Sequence, residues 1–224
     1  MTKIIHYTLF ILQFIVICIS FIYSLRLIKN NNVPNYLKGF FWYPLIGILV
    51  GIPVLIFKFI FIDYKEIAII INNISIIFHF GFLSHFIIKV ISNNKNLKYL
   101  VLLFFLIEVL IVYTLTNYPL NKVNNSAFFI SNFGLVIFCI IYFNELFKNM
   151  PVIDLKATPS FWIITGILFC MSAHFPIAAT LDFLNGKVSF FVIKNLSNVL
   201  VVSYIIMQIF FLKAFLCVTP RVKG

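Results

Sequence analysis

An all-α, polytopic membrane bundle of seven transmembrane helices is the fold the sequence predicts, and three observations predict it. Apolar residues make up 62% of the chain and charged residues only 10%, against about 45–50% apolar in soluble domains. The apolar residues gather into seven runs, each close to the roughly 20 residues that a helix needs to cross ~30 Å of hydrocarbon. The connectors are short and hold most of the charge. They leave no room for a soluble domain, so residues 1–224 read as a single transmembrane domain.

The first run, Ile4–Leu25, follows Lys3 but is too long for a signal-peptide core and lacks a small-residue cleavage site, so it reads as a span. The polar stretch Arg26–Lys38 leads to the second span, Gly39–Ile62. That span is entered through Phe40, Phe41, Trp42 and Tyr43, the composition of an interfacial aromatic belt, and it carries Pro44 and Pro53. The turn Asp63-Tyr64-Lys65-Glu66 leads to the third span, Ile67–Ile88, and Lys89–Lys98 to the fourth, Tyr99–Thr116. Asn117–Ser126 precedes the fifth, Ala127–Phe147. The sixth lies in Lys156–Asp182, which opens with Pro159, Phe161 and Trp162 and carries His174 and Pro176 at mid-depth. After Asn185–Phe191 comes the seventh, Val192–Cys217. Pro53 and Pro176 are candidate kinks. Gly47 and Gly51 match the G-x-x-x-G spacing that lets helices approach closely, either within one chain or between copies of a homo-oligomer.

A formal charge of +11 raises the question of nucleic acid. The lysines, however, stand singly at the ends of apolar runs, which is the pattern of a topology signal rather than of a basic binding face. The lipid bilayer is therefore the expected partner, and nucleic acid is not. Counted by side, 11 of the 17 Lys and Arg residues fall on the side of Arg26, Lys89 and Lys156, and 6 on that of Lys65 and Lys122. The bias predicts an external N-terminus and a cytoplasmic C-terminus, as expected of a multi-pass protein of a bacterial inner membrane. Cys18, Cys139, Cys170 and Cys217 each fall in a different run without C-x-x-C spacing, so they read as buried small hydrophobes.

Function is sought among the polar residues at depth, because an ionisable group in a span costs about 3 kcal/mol on insertion scales and turns inward. His79, Glu108 and His174 lie near mid-membrane. They are read either as a proton- or ligand-linked cluster in which a histidine pairs with Glu108, or as separately satisfied packing groups. Asn72, Ser75 and His79 share one helical face. Asn195 and Asn198 lie a turn apart, and Asp182 and Lys194 flank the same end. Together these could line a cavity open to the outer side. The plainer alternative is interhelical hydrogen bonding, worth about 0.6 kcal/mol per contact.

No Walker loop, G-x-S-x-G or H-E-x-x-H occurs. His79 and His85 fall on different faces of one helix, so no metal-ligand spacing is legible, and neither a metal nor a cofactor is expected. A retinal protein would need a lysine midway along the last span, where none stands. The two halves show no inverted repeat of broken helices, which argues against a transporter.

The segment P-S-F-W-I-I-T-G-I-L-F, its aromatic half-span, and an Asn-containing last span with a basic tail resemble the closing part of a group of bacterial seven-span membrane modules. These occur alone or fused in front of sensory histidine kinases and related signalling domains. The likeness covers Thr158–Gly224 and rests on Pro159, Phe161, Trp162, Gly166 and Asn198. It implies a membrane sensor or accessory subunit with a cytoplasmic or membrane signalling partner, and it carries over no ligand or catalytic residue. The sequence ends at Gly224 with no output domain, so a stand-alone module is expected, binding a small molecule or lipid in an outward cavity. A lipid-modifying enzyme using His79, His174, Glu108 and Asp182, and a small channel or transporter formed by oligomerisation, are the alternatives. An enzyme requires those groups to converge to about 3 Å.

Overall fold

The computed structural model describes residues 2–28, 33–59, 65–91, 97–149, 155–184 and 187–218. Side chains at 2–7, 58, 59, 65, 149, 182 and 190 lie outside the description. So do Lys29, Asp63, Tyr64, Lys95, Arg221 and Lys223. Among the described residues there is no strand. The helices are α1 (Thr2–Ile28), α2 (Asn35–Gly39), α3 (Trp42–Phe59), α4 (Lys65–Ile91), α5 (Leu97–Thr116), α6 (Asn125–Asn149), α7 (Pro159–Leu184) and α8 (Phe190–Val218), with one 3-10 turn at Leu155–Ala157. Seven helical segments are long and apolar enough to cross a membrane. The protein is a multi-pass, lipid-embedded bundle.

A short helix, α2, precedes the second span within the stretch that the sequence reading had as a polar connector. α2 ends at Gly39, and Tyr43 N donates to Phe40 O at 3.1 Å before α3 begins its regular course. Pro44 explains the break. It has no N–H to give a carbonyl four residues back, a lack that costs least in the first turn of a helix. Pro53 and Pro176, by contrast, remain inside continuous helices.

Six helices form a ring in which α1 packs on α3 and α8, α3 on α4, α4 on α6, α6 on α7, and α7 on α8. α5 lies outside the ring against α4 and α6. Glycines set two of these approaches. A methyl group on Gly166 would stand 2.7 Å from Phe210 Cβ and 3.2 Å from Met207 O, so α7 and α8 meet at their present distance only with glycine there. A methyl group on Gly134 of α6 would stand 2.9 Å from the Phe80 ring of α4. The Gly47–Gly51 pair faces α1 within the same chain, where added methyls would meet Ile17 and Phe14 at an ordinary 3.6 and 3.8 Å.

Aromatic rings fill one end of the ring, that of the α1 C-terminus. Phe40 is fully buried there, with ring centroids 4.7 Å from Phe86, 5.0 Å from Phe211 and 5.5 Å from Tyr43. At the same end Trp162 donates its indole N–H to Lys156 O at 2.9 Å, and Lys213 Nζ lies 5.7 Å from the Trp162 ring centre. This is the arrangement of an interfacial anchor, apolar body inward and polar edge outward.

Polar side chains tie down the opposite end. Asn73, fully buried on α4, donates from Nδ2 to Leu120 O (2.9 Å) and Lys122 O (2.7 Å) and accepts from Asn124 N at 3.3 Å. Asn124 in turn caps α6, accepting from Ala127 N at 2.8 Å, and donates to Thr114 O at 2.9 Å. The α5–α6 connection is thereby stitched to α4 and to the end of α5. All four cysteines are free, and Cys139 and Cys170 are buried.

Candidate functional site

Beyond the aromatic plug, the interior of the ring is not filled. A cavity of ≈260 Å³, open on one side, lies among α1, α3, α4, α6 and α8. Its making is local. Gly47 and Gly51 withhold side chains from α3 where it faces Phe14 and Ile17 of α1, and the space they leave is part of the cavity. The walls are mostly aromatic and aliphatic. The polar groups among them are Gln13, Tyr43, Asn72, Ser75, His79, Ser131, Tyr204 and Gln208. Among the described residues no Lys, Arg, Asp or Glu takes part in the lining. A mostly apolar concavity with a few placed polar groups is the usual form of a small-molecule site, and this one, at ≈260 Å³, lies just below the usual range of about 300–1,000 Å³.

Its polar centre is built around two histidines. Tyr43 OH lies 3.0 Å from His79 Nδ1. The direction of this bond is set by the tautomer of the imidazole: the phenol donates when the ring proton is on Nε2 and accepts when it is on Nδ1. His79 Nε2 is buried without a partner. His174 of α7 is fully buried, with Nε2 2.7 Å from Ser203 Oγ and 3.1 Å from Leu200 O, while its Nδ1 has no partner. The Tyr204 ring lies beside both imidazoles, its centroid 4.8 Å from that of His174 and 6.0 Å from that of His79. Gln208, one turn further along α8, is buried and its Oε1 has no partner.

The structure brings some of the sequence-selected residues together and not others. Asn72 and His79 line the cavity with Ser75, as their shared face predicts. Asn72 is exposed, and its carbonyl accepts from Ser75 Oγ at 2.7 Å. His174 stands beside Tyr204 rather than in the lining. Of the two readings of His79, Glu108 and His174, the pairing of a histidine with Glu108 is not seen among the described residues. Glu108 Oε1 would lie 3.8 Å from a methyl on Gly81, while Oε2 is buried without a partner. Gly81 and His79 are about 200° apart around α4, so the carboxyl is on the far side of the helix from the cavity.

Asn195 and Asn198 also lie outside the lining. Asn195 precedes Tyr204 by about two and a half turns, which turns it away from the face that Tyr204 presents. The Asp182 side chain lies outside the described residues, and Lys194 is half-buried near the start of α8. Among the described residues no three His, Cys, Asp or Glu side chains come together as a metal site.

Tyr43, Tyr204 and Gln208 complete the centre and were not singled out by their positions in the sequence as members of the cavity. In a chain with 10 Tyr and 29 Phe, one more aromatic residue carries no signal. Gln208 alone had one, as an uncharged polar residue within the last apolar run. No family model, no curated protein sequence and no solved structure matches the chain. The cavity and its histidine centre are therefore the observations on which a functional reading rests.

Proposed function

We propose that the protein is a membrane sensory or signalling-associated module of a bacterial inner membrane, its N-terminus outside and its C-terminus cytoplasmic. The cavity, in the outer half, takes a small molecule or lipid. A cytoplasmic or membrane partner reads the consequence at the other end. The observation that carries this reading is the continuity of α8. Tyr204 and Gln208 line the cavity, and within two further turns the same helix supplies Phe211 and Phe215 to the plug, 5.0 and 6.2 Å from Phe40. An occupant that moves Tyr204 must shift rings packed to interior density, and close-packed interiors answer strain by moving as units. Catalysis by convergent acids and bases finds less support, because the partners of His79 and His174 are Tyr43 and Ser203 rather than Glu108.

The test needs no knowledge of the ligand, since a larger side chain at Gly47 acts as an occupant. In a cysteine-free background reconstituted in lipid nanodiscs, spin labels are placed at Lys89 of α4 and Lys213 of α8, both exposed at the plug end. The inter-label distance distribution is expected to shift between the parent and Gly47→Leu. Identical distributions would remove the sensor reading while leaving the cavity intact.

A further inference from the structure

We infer that an anionic phospholipid binds on the lipid-facing flank of the α7–α8 pair at the plug end, with its phosphate at Lys213 and one acyl chain along the two helices. This site is separate from the cavity and does not depend on what fills it.

Lys213 is the anchor. It is exposed on α8 at the depth of Trp162, and its Nζ lies 5.7 Å from the Trp162 ring centre. The indole face attracts the ammonium but brings no net charge to neutralise it. Among the described residues Lys213 has no acidic partner. Every described charged side chain at this end is lysine or arginine except Glu145, and Glu145 stands on α6, the other neighbour of α7 in the ring. Asp154 lies outside the described residues. A basic side chain at the edge of hydrocarbon draws an anionic head to it. A zwitterionic head carries its own cation into the same basic field and gains less.

The anchor is held in place by the fold. Lys156 O accepts from Trp162 Nε1 at 2.9 Å and from Cys217 Sγ at 3.4 Å. The turn before α7, α7 itself and the end of α8 are thus tied at one atom. Cys217 follows Lys213 by one turn on the same face. Trp162 is also packed against Phe161 and Phe210, with ring centroids 5.5 and 5.9 Å away. Little of this has to be ordered when a headgroup arrives, which favours binding.

Toward the bilayer centre the surface suits a chain. Phe169 lies two turns from Trp162 on α7, and Ile209 one turn from Lys213 on α8, and both are exposed. Gly166, between Trp162 and Phe169, lets the helices meet closely, so the two rows border one groove. From Trp162 to Phe169 it runs about 10 Å.

Trp162 can report on its own neighbour. The chain has two tryptophans, and the other, Trp42, is exposed, so Trp42→Phe leaves a single emitter in the full chain. The protein is reconstituted in phosphatidylcholine bilayers. A fixed minor fraction of the lipid is replaced by phosphatidylglycerol brominated on its acyl chains, or by equally brominated phosphatidylcholine. Bromine quenches tryptophan only near contact, and each variant's emission in bromine-free bilayers of the same composition is its reference. Phosphatidylglycerol should show about a fivefold higher relative binding constant at Trp162, the factor that one basic side chain at a membrane surface confers. Lys213→Gln should bring that ratio close to unity, and Lys213→Arg should keep it. Lys98→Gln removes an exposed charge at the same end but on α5, and should leave the ratio unchanged.

Equal constants for the two lipids in the parent would overturn the proposal. So would a loss in Lys98→Gln as large as in Lys213→Gln, which would mean a diffuse surface potential and no site. Relief of the excess quenching by millimolar inorganic phosphate at constant ionic strength would assign Lys213 to a free anion and overturn the lipid.

Discussion

Asn72 and Asn73 stand side by side on α4 and do unrelated things. Asn72 faces the cavity mouth and is exposed, whereas Asn73 is fully buried and holds Leu120 O, Lys122 O and Asn124 N. Asn73→Ala removes the donor to Leu120 O and Lys122 O and the buried acceptor of Asn124 N, and should cost about 1–3 kcal/mol. Asn72→Ala should change stability by less than about 0.5 kcal/mol. The midpoints of thermal unfolding in detergent, compared for the two variants, check this. The shared face of Asn72, Ser75 and His79 was legible because helical periodicity alone defines it. Asn73 was not, because its partners lie 47 to 51 residues on and only the folded chain brings them near. Glu108 was legible as a buried ionisable group but not as to its neighbour. Periodicity places a residue on its own helix and says nothing of which helix it meets.

At the scale of the helix, glycines divide by what a methyl group would meet. Gly166→Ala drives a new carbon against Phe210 Cβ and a backbone carbonyl, neither of which can rotate away. Separating α7 from α8 to relieve this should cost about 1–3 kcal/mol. Gly47→Ala meets only ordinary contact distance and should be close to neutral. Unfolding midpoints of the two single variants test the contrast. The Gly47–Gly51 spacing could be read from sequence, yet not whether it served a second copy or a neighbouring helix. The separation of α2 from α3 had a signal in Gly39 and Pro44, but α2 itself was not legible, because five residues in a polar connector are too few to show helical periodicity.

For the molecule as a whole, seven crossings were legible because hydrocarbon thickness and backbone hydrogen bonding leave few alternatives to long apolar helices. The order in which those helices surround the cavity was not, since most faces of the spans are apolar and pattern alone assigns no neighbour. The proposed sidedness rests on the distribution of basic residues and has a direct test. In a cysteine-free background in spheroplasts, Lys122→Cys should react with a membrane-impermeant maleimide, and Lys156→Cys should react only after the membrane is opened. The reverse pattern would invert the bundle and place the cavity in the cytoplasmic half.

Asn73 also bears on how such a chain is made. When α4 enters the bilayer it brings a bare carboxamide whose acceptors have not yet left the ribosome, for Lys122 O lies 49 residues downstream. Until the chain beyond α5 has been threaded, that amide must remain with water or the translocation machinery, because hydrocarbon offers it nothing. The hydrogen bonds of Asn73 can form only after α5 and the start of α6 have been made.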